Sequence, residues 1–135
     1  DTTEYLAAAL LDMEWHSISA GTQINDVAAF EQKALAKHDI DYAPVPPRYK
    51  SAYFSHAFAG GYSAGYYAYL WTEVFAADAF AYMTEQGGLK RENGDQFRRR
   101  VLSMGNSQDL MQDYIDFRGS KPSTDALLKR RGLKK

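Results

Sequence analysis

The sequence predicts an all-α fold, and three observations carry that expectation. Apolar residues recur at helical spacing in most segments. β-branched alternation is absent throughout. Most of the helical runs stop at glycine, the residue that most readily leaves a helix in the left-handed conformation.

Residues 4–19, "EYLAAALLDMEWHSIS", are rich in strong helix formers. Leu6, Leu10, Met13 and Ile18 follow helical spacing, Thr2, Thr3 and Glu4 supply N-terminal polar signals, and Gly21 ends the run. Asn25 or Asp26 can cap a second helix over 27–38, with Val27, Phe30, Ala34 and Leu35 on one face. "DYAPVPPRYK" then carries Pro44, Pro46 and Pro47, which exclude a helix. Residues 42–61 read as an irregular connection, and loops of this length are often functional. A long helix is expected from Ser63 to about Gln86, stopped by Gly87 and Gly88. A fourth is expected from about Gly94 to Ser103, ended by Gly105. Ser107 is the expected cap of a fifth, with Leu110, Met111, Tyr114, Ile115 and Phe117 on a broad apolar face closed by Gly119. Pro122 and Ser123 open a last short helix that stops at Gly132.

The chain has 135 residues, enough for a real core. Sixteen basic residues against 17 acidic ones give a net charge of −1, so no global field draws it to nucleic acid or anionic lipid. The late basic clusters, Arg98-Arg99-Arg100 and Lys129-Arg130-Arg131 with Lys134-Lys135, read as solvated faces and a tail. The absence of cysteine excludes disulfides, thiolate metal sites and thiol nucleophiles. No apolar run reaches the roughly 18 residues of a membrane helix, and no signal-peptide pattern is present. Neither nucleic acid nor membrane is an expected partner. The chain begins at Asp1 and enters a helical pattern at once, which suggests a piece of something longer.

The residues with most chemistry lie in "GGYSAGYYAYLWTEV", 60–74, where Tyr62, Tyr66, Tyr67 and Tyr69 fall within eight positions. Helical geometry would put Tyr62, Tyr66 and Tyr69 on one face and turn Tyr67 away with Leu70 and Val74. With His56 near one end, three phenols could form a wall of donors to an oxyanion or a peptide carbonyl. Gly60 and Gly61 would let backbone approach a ligand or flex. The alternative is an aromatic stripe packed in a core, each hydroxyl meeting a local partner, and spacing alone favours it. His16 and His38 read as structural. No His-Glu-x-x-His motif, GxGxxG phosphate loop or GxSxG elbow occurs.

"YFSHAFAGGYSAGYYAYLWTEVFAADAF", 53–80, resembles the region after the metal site in zinc peptidases of the thimet oligopeptidase group. "GGLKRENGDQFRRRVLSMGNSQDLMQDYIDFRGSKPSTDALLKRRGL", 87–133, resembles the closing segment of the same enzymes, and "EYLAAALLDMEWH" and "PVPPRYKSAYFSH" fit as well. The His-x5-Tyr-x3-Tyr-Tyr-x-Tyr run is the most specific feature. The resemblance implies an all-α, zincin-like catalytic domain of which residues 1–135 are the C-terminal portion. It also implies zinc in the complete enzyme, held by upstream residues, with no zinc ligand and no general base in this chain. By the same resemblance Tyr69 matches the phenol that donates to the oxyanion. His56 and Tyr62 match residues that hold the substrate backbone and support the transition state, and Tyr66 matches a further cleft tyrosine. Gly60 and Gly61 match a flexible loop that closes on peptide, with Ala59 standing where relatives often have glycine.

The implied function is hydrolysis of short peptides. "GGL", "RENG" and "GNS" lean toward a peptidyl-dipeptidase that releases C-terminal dipeptides, with an oligopeptidase A-like endopeptidase as the alternative. The isolated chain reads as a non-catalytic helical fragment. Its expected partners are peptide substrate and the missing N-terminal part of the same enzyme, and the surface that part would cover is expected to drive self-association. The expected compartment is the cytoplasm, with the periplasm as the alternative.

Overall fold

Helix α1, Thr2–His16, buries a stripe different from the one its leucines suggest. Ala7, Ala8, Ala9, Leu11 and Asp12 are buried, Leu6 and Leu10 only half-buried, and Met13 exposed. Small alanines allow close approach of neighbouring chain, so packing selects the alanine face. The computed structural model describes residues 1–135 and holds seven α-helices and no strand. None of its helices is long and apolar enough to cross a membrane. The chain divides into two compact units, Asp1–Leu70 and Trp71–Lys135.

In the first unit, α2 spans Val27–Ala36 and is capped by Asp26, whose carboxylate accepts the Ala29 N–H at 3.0 Å. Ala34 and Leu35 are buried, and Phe30 packs on the Trp15 ring with centroids 4.0 Å apart, whereas Val27 is exposed. The proline-bearing connection is not wholly irregular. A 3₁₀ turn at Ser51–Tyr53 and a single-turn helix α3, Ser55–Phe58, lie within it. Two bonds hold that turn: Trp15 Nε1 donates to Ser51 Oγ at 2.6 Å, and the Ser51 N–H donates to Glu31 at 2.6 Å. Phe54, Ala57 and Tyr66 join Ala8 and Ala9 in the core, flanked by Tyr5 and Tyr49.

The long helix α4 is Ala68–Glu85, so it starts five residues later than the sequence predicts. Residues 63–67 form turns, with Ala64 in the left-handed region at φ 55°. Tyr62 and Tyr66 therefore do not ride on the helix. Leu70 and Val74 are half-buried rather than buried.

The second unit is built on the remainder of α4. Gly87 and Gly88, both at φ 94°, terminate that helix as expected. The next helix, α5, begins at Arg91 rather than near Gly94 and runs to Phe97, continuing as a π-helical turn over Arg98–Leu102. The Asn93 amide explains the early start. It donates to the carbonyls of Gly88, Met83 and Gln86 at 2.7, 3.3 and 3.4 Å and ties the first turn of α5 to the end of α4. Helix α6, Leu110–Arg118, is capped by Asp109, which accepts the Gln112 N–H at 2.7 Å. Ser107 instead bonds back to Met104. Tyr114 and Phe117 fill the core with Ala79, while Leu110 stays exposed. Tyr114 donates to the buried Asp78 at 2.7 Å, and burial followed by that bond pushes its phenol well above the usual range. Helix α7, Asp125–Arg130, is not a free tail: Arg130 and Arg131 both pair with Glu73 of α4. The Arg98-Arg99-Arg100 run is solvated as expected.

Candidate functional site

The site lies in the first unit and grows from Asp12. This carboxylate is fully buried on α1. Its Oδ1 accepts the Ala64 N–H at 3.0 Å and its Oδ2 the Tyr66 N–H at 2.9 Å. His16 Nδ1 stands 2.8 Å from the Asp12 carbonyl oxygen and 2.9 Å from Oδ1. A carbonyl oxygen only accepts, so Nδ1 carries the proton. Asp12 thus satisfies two backbone donors that no helix satisfies, and it fixes the turn that carries Tyr66.

Two glycines upstream complete the framework. Gly61 has φ 77°, a conformation that costs any residue with a Cβ. A Cβ on Gly60 would stand 3.3 Å from both the Cα and the carbonyl oxygen of His56. These glycines serve a defined turn and a close approach. The Tyr62 N–H closes that turn on the His56 carbonyl at 3.2 Å, and Ser63 Oγ donates to the Ala57 carbonyl at 2.7 Å.

His56 stands at the centre of the aromatic cluster. Its ring centroid lies 5.8 Å from Tyr62, 5.7 Å from Tyr66, 6.1 Å from Tyr69 and 5.6 Å from Tyr49. Tyr62 and Tyr69 stack at 5.7 Å, and Tyr66 meets Tyr69 edge-on at 5.3 Å. The sequence-predicted residues are therefore brought together, though by a turn plus the first turn of α4. Tyr67 is exposed and makes no ring contact with the cluster.

The three phenols do not share one cleft equally. Tyr66 and Tyr69 line a cavity of about 240 Å³ together with Tyr5, Arg48, Tyr49 and His56. Tyr62 lines a second cavity, of about 300 Å³, with Ser55, His56, Ala59 and Gly60. Only His56 belongs to both. Tyr66 is only 3% exposed, against 44% for Tyr62 and 37% for Tyr69, so the three rings of the expected wall differ sharply in burial. Its ring is the edge-on partner of Phe54 at 4.9 Å and of Tyr5 at 5.7 Å, which makes it core and cavity wall at once.

Tyr66 and Tyr69 are both held protonated. Burial raises Tyr66 to about 12 from an ordinary 10.0. A hydrogen bond with Tyr62 raises Tyr69. Near neutral pH the cavity thus presents neutral O–H donors, an imidazole and one permanent cation, a set suited to carbonyl and carboxylate oxygens. The raised Tyr66 value has a measurable consequence. Below pH 10 the phenol is protonated whether folded or unfolded and adds no pH dependence. Between about 10 and about 12 only the unfolded chain releases the proton, so stability falls as pH rises through that window. Urea titrations across the window should show a smaller alkaline loss in Tyr66→Phe than in the parent chain; equal losses would contradict the buried phenol.

Sequence reasoning missed Asp12 and Arg48. The signal for Asp12 was a carboxylate four residues after Ala8 on the buried stripe of α1. The signal for Arg48 was a single cation directly after Pro46-Pro47 and before the aromatic run. No group of three or more His, Asp or Glu side chains is placed to hold a metal ion.

Comparison with known proteins sets this geometry in context. The family model described as Peptidase family M3 matches residues 1–133. A dipeptidyl carboxypeptidase of Salmonella typhimurium is 53% identical over 133 residues, which cover 98% of this chain and 20% of that protein. One of Escherichia coli is 50% identical over the same length and coverage. Oligopeptidase A of Escherichia coli is 51% identical over 81 residues, covering 60% of this chain and 12% of that protein. The chain thus spans about a fifth of the length of the first two relatives.

Proposed function

Because the chain belongs to peptidase family M3, we propose that it is the C-terminal, substrate-facing portion of a peptidyl-dipeptidase that releases dipeptides from the free C-terminus of short peptides. The observation that carries this reading is the cluster of Tyr62, Tyr66 and Tyr69 around His56, which lines two open cavities that meet at His56. Identity of about half to two dipeptidyl carboxypeptidases over nearly the whole chain supports the exopeptidase form. The match to oligopeptidase A supports the second reading, an endopeptidase.

Family M3 peptidases are zinc metallopeptidases. The residues present here do not fit a zinc site, so no step is assigned to the metal on this chain. The roles that remain belong to neutral donors. In this reading Tyr69 donates its phenolic proton to the oxygen of the scissile carbonyl as it gains charge. Being neutral, it stabilises an oxyanion without competing for a metal. His56 and Tyr62, next to Tyr69, hold the peptide backbone on either side of that carbonyl. Tyr66 shapes the cavity floor, and Gly60 and Gly61 hold the turn that presents Tyr62. The partners in this reading are peptide substrate and the N-terminal remainder of the enzyme. The compartment is the cytoplasm, with the periplasm as the alternative.

The isolated chain should bind no stoichiometric zinc, hydrolyse no peptide and self-associate at high concentration. The complete protein should bind zinc and release dipeptides from N-acylated peptides. Metal analysis and product identification by mass spectrometry check both arms. Peptide cleavage by the purified 135-residue chain would contradict the division of roles.

A further inference from the structure

We infer that Arg48 is the docking point for the terminal carboxylate of the peptide, and that it thereby sets cleavage two residues from the C-terminus; this rests on the peptidase reading above. The cavity of about 240 Å³ that holds Tyr66, Tyr69 and His56 is also lined by Arg48, and no carboxylate lines it. Arg48 forms no ion pair with any Asp or Glu of the chain, whereas Arg118, Arg130 and Arg131 all do. An arginine stays charged at every working pH. The cavity therefore presents one unneutralised positive charge among neutral phenols.

The placement of that charge is defined by its surroundings. Pro46 and Pro47 stiffen the segment before it. The Arg48 N–H donates to the Glu4 carbonyl at 3.0 Å, which ties the backbone to α1. The guanidinium lies 5.5 Å from the centre of the Tyr5 ring. Cation–π attraction to the ring face holds the guanidinium there without using its N–H donors in an ion pair, so they can meet a carboxylate in a two-point bond. Tyr5 touches Tyr66, and Tyr66 touches Tyr69, with ring centroids 5.7 and 5.3 Å apart. Arg48 thus stands along the same wall as Tyr69, two rings further on. Two extended residues reach about 7 Å. Arg48 and Tyr69 line one cavity of about 240 Å³, so a peptide whose carboxylate rests on Arg48 runs along the wall that carries Tyr69.

The test uses the complete enzyme and two N-acylated peptides of one sequence, one ending in a free carboxylate and one in an amide. The wild type should strongly prefer the free acid. In Arg48→Gln, the acid-over-amide preference in kcat/KM should fall roughly 10- to 100-fold, the value of one charged hydrogen-bonded contact. The ratio is read on one preparation, so a partly unfolded sample does not alter it. Arg48→Lys should recover part of the preference, because it keeps the charge and loses the fork. If Arg48→Gln yields no active protein, Arg48→Lys decides: a lowered ratio supports the assignment, and an unchanged one overturns it. Equal losses on acid and amide, or a wild type indifferent to the amide, would overturn it as well, because Arg48 would then not read the terminal carboxylate. A wild type that cleaves neither peptide would overturn the peptidase reading itself, and this assignment with it.

Discussion

Tyr69→Phe in the complete enzyme should lower kcat by roughly 10²- to 10³-fold, the usual range for deletion of one oxyanion donor, with little change in KM or zinc content. The substitution removes one oxygen and keeps the ring, so the contacts of Tyr69 with Tyr62, Tyr66 and His56 persist. What disappears is a neutral donor: a phenol keeps its proton at working pH, and the hydrogen bond with Tyr62 moves Tyr69 further in that direction. A ground-state carbonyl accepts such a bond weakly, and an oxyanion accepts it strongly. The loss therefore falls on the transition state. Tyr67→Phe is the control, since that exposed ring makes no contact with the cluster. Steady-state kinetics of both variants decide the matter. Similar losses in the two would refute the division of faces, and a change confined to KM would make Tyr69 a binding residue.

Replacement of Asp12 by alanine should have the second large effect, on both stability and placement. The substitution strips the acceptor from the part-buried Ala64 N–H and the buried Tyr66 N–H, while the His16 ring keeps the backbone carbonyl of residue 12. Each orphaned donor costs about 1–3 kcal/mol. The chain should therefore lose roughly 3–5 kcal/mol in urea unfolding, a loss reserved for a few named mechanisms. Asp12→Asn should fall between, because it keeps one acceptor and turns an N–H₂ toward one of the two backbone donors. In the complete enzyme this variant should also lose turnover, since the turn that presents Tyr66 and leads into Tyr69 loses a fixing bond. An alanine variant within about 0.5 kcal/mol of the parent, the range of ordinary surface changes, would mean that the turn holds its shape without Asp12.

What the sequence displays and what it hides differ by range. The helices were legible because i, i+4 spacing and glycine stops are local, and Asp26 and Gly119 serve as caps for the same reason. The identities of the site residues were legible from the tyrosine run. Their arrangement was not. Asp12 lies 52 residues before Ala64, and its two bonds replace the helical hydrogen bonds that periodicity presumes for 63–67. The same distance effect hid the pairing of Glu73 with Arg130 and Arg131, 57 and 58 residues on. On α1, three consecutive alanines carry the packing, and so small a side chain leaves a faint apolar signature beside Leu6 and Leu10. Tyr66 shows the limit of face arguments most plainly: a position assigned to an open wall became part of the core once the turn, rather than the helix, set its direction.

The central claim is that this chain supplies the wall that recognises the tetrahedral state of a peptide bond. The most direct measurement compares two inhibitors on the complete enzyme, a phosphinic peptide that carries a tetrahedral oxyanion and a matched non-cleavable peptide with an ordinary planar amide. If the wall acts as described, Tyr69→Phe weakens the phosphinic inhibitor by the same factor as kcat/KM and leaves the planar one nearly unchanged. Equal weakening of both, or of neither, would contradict it.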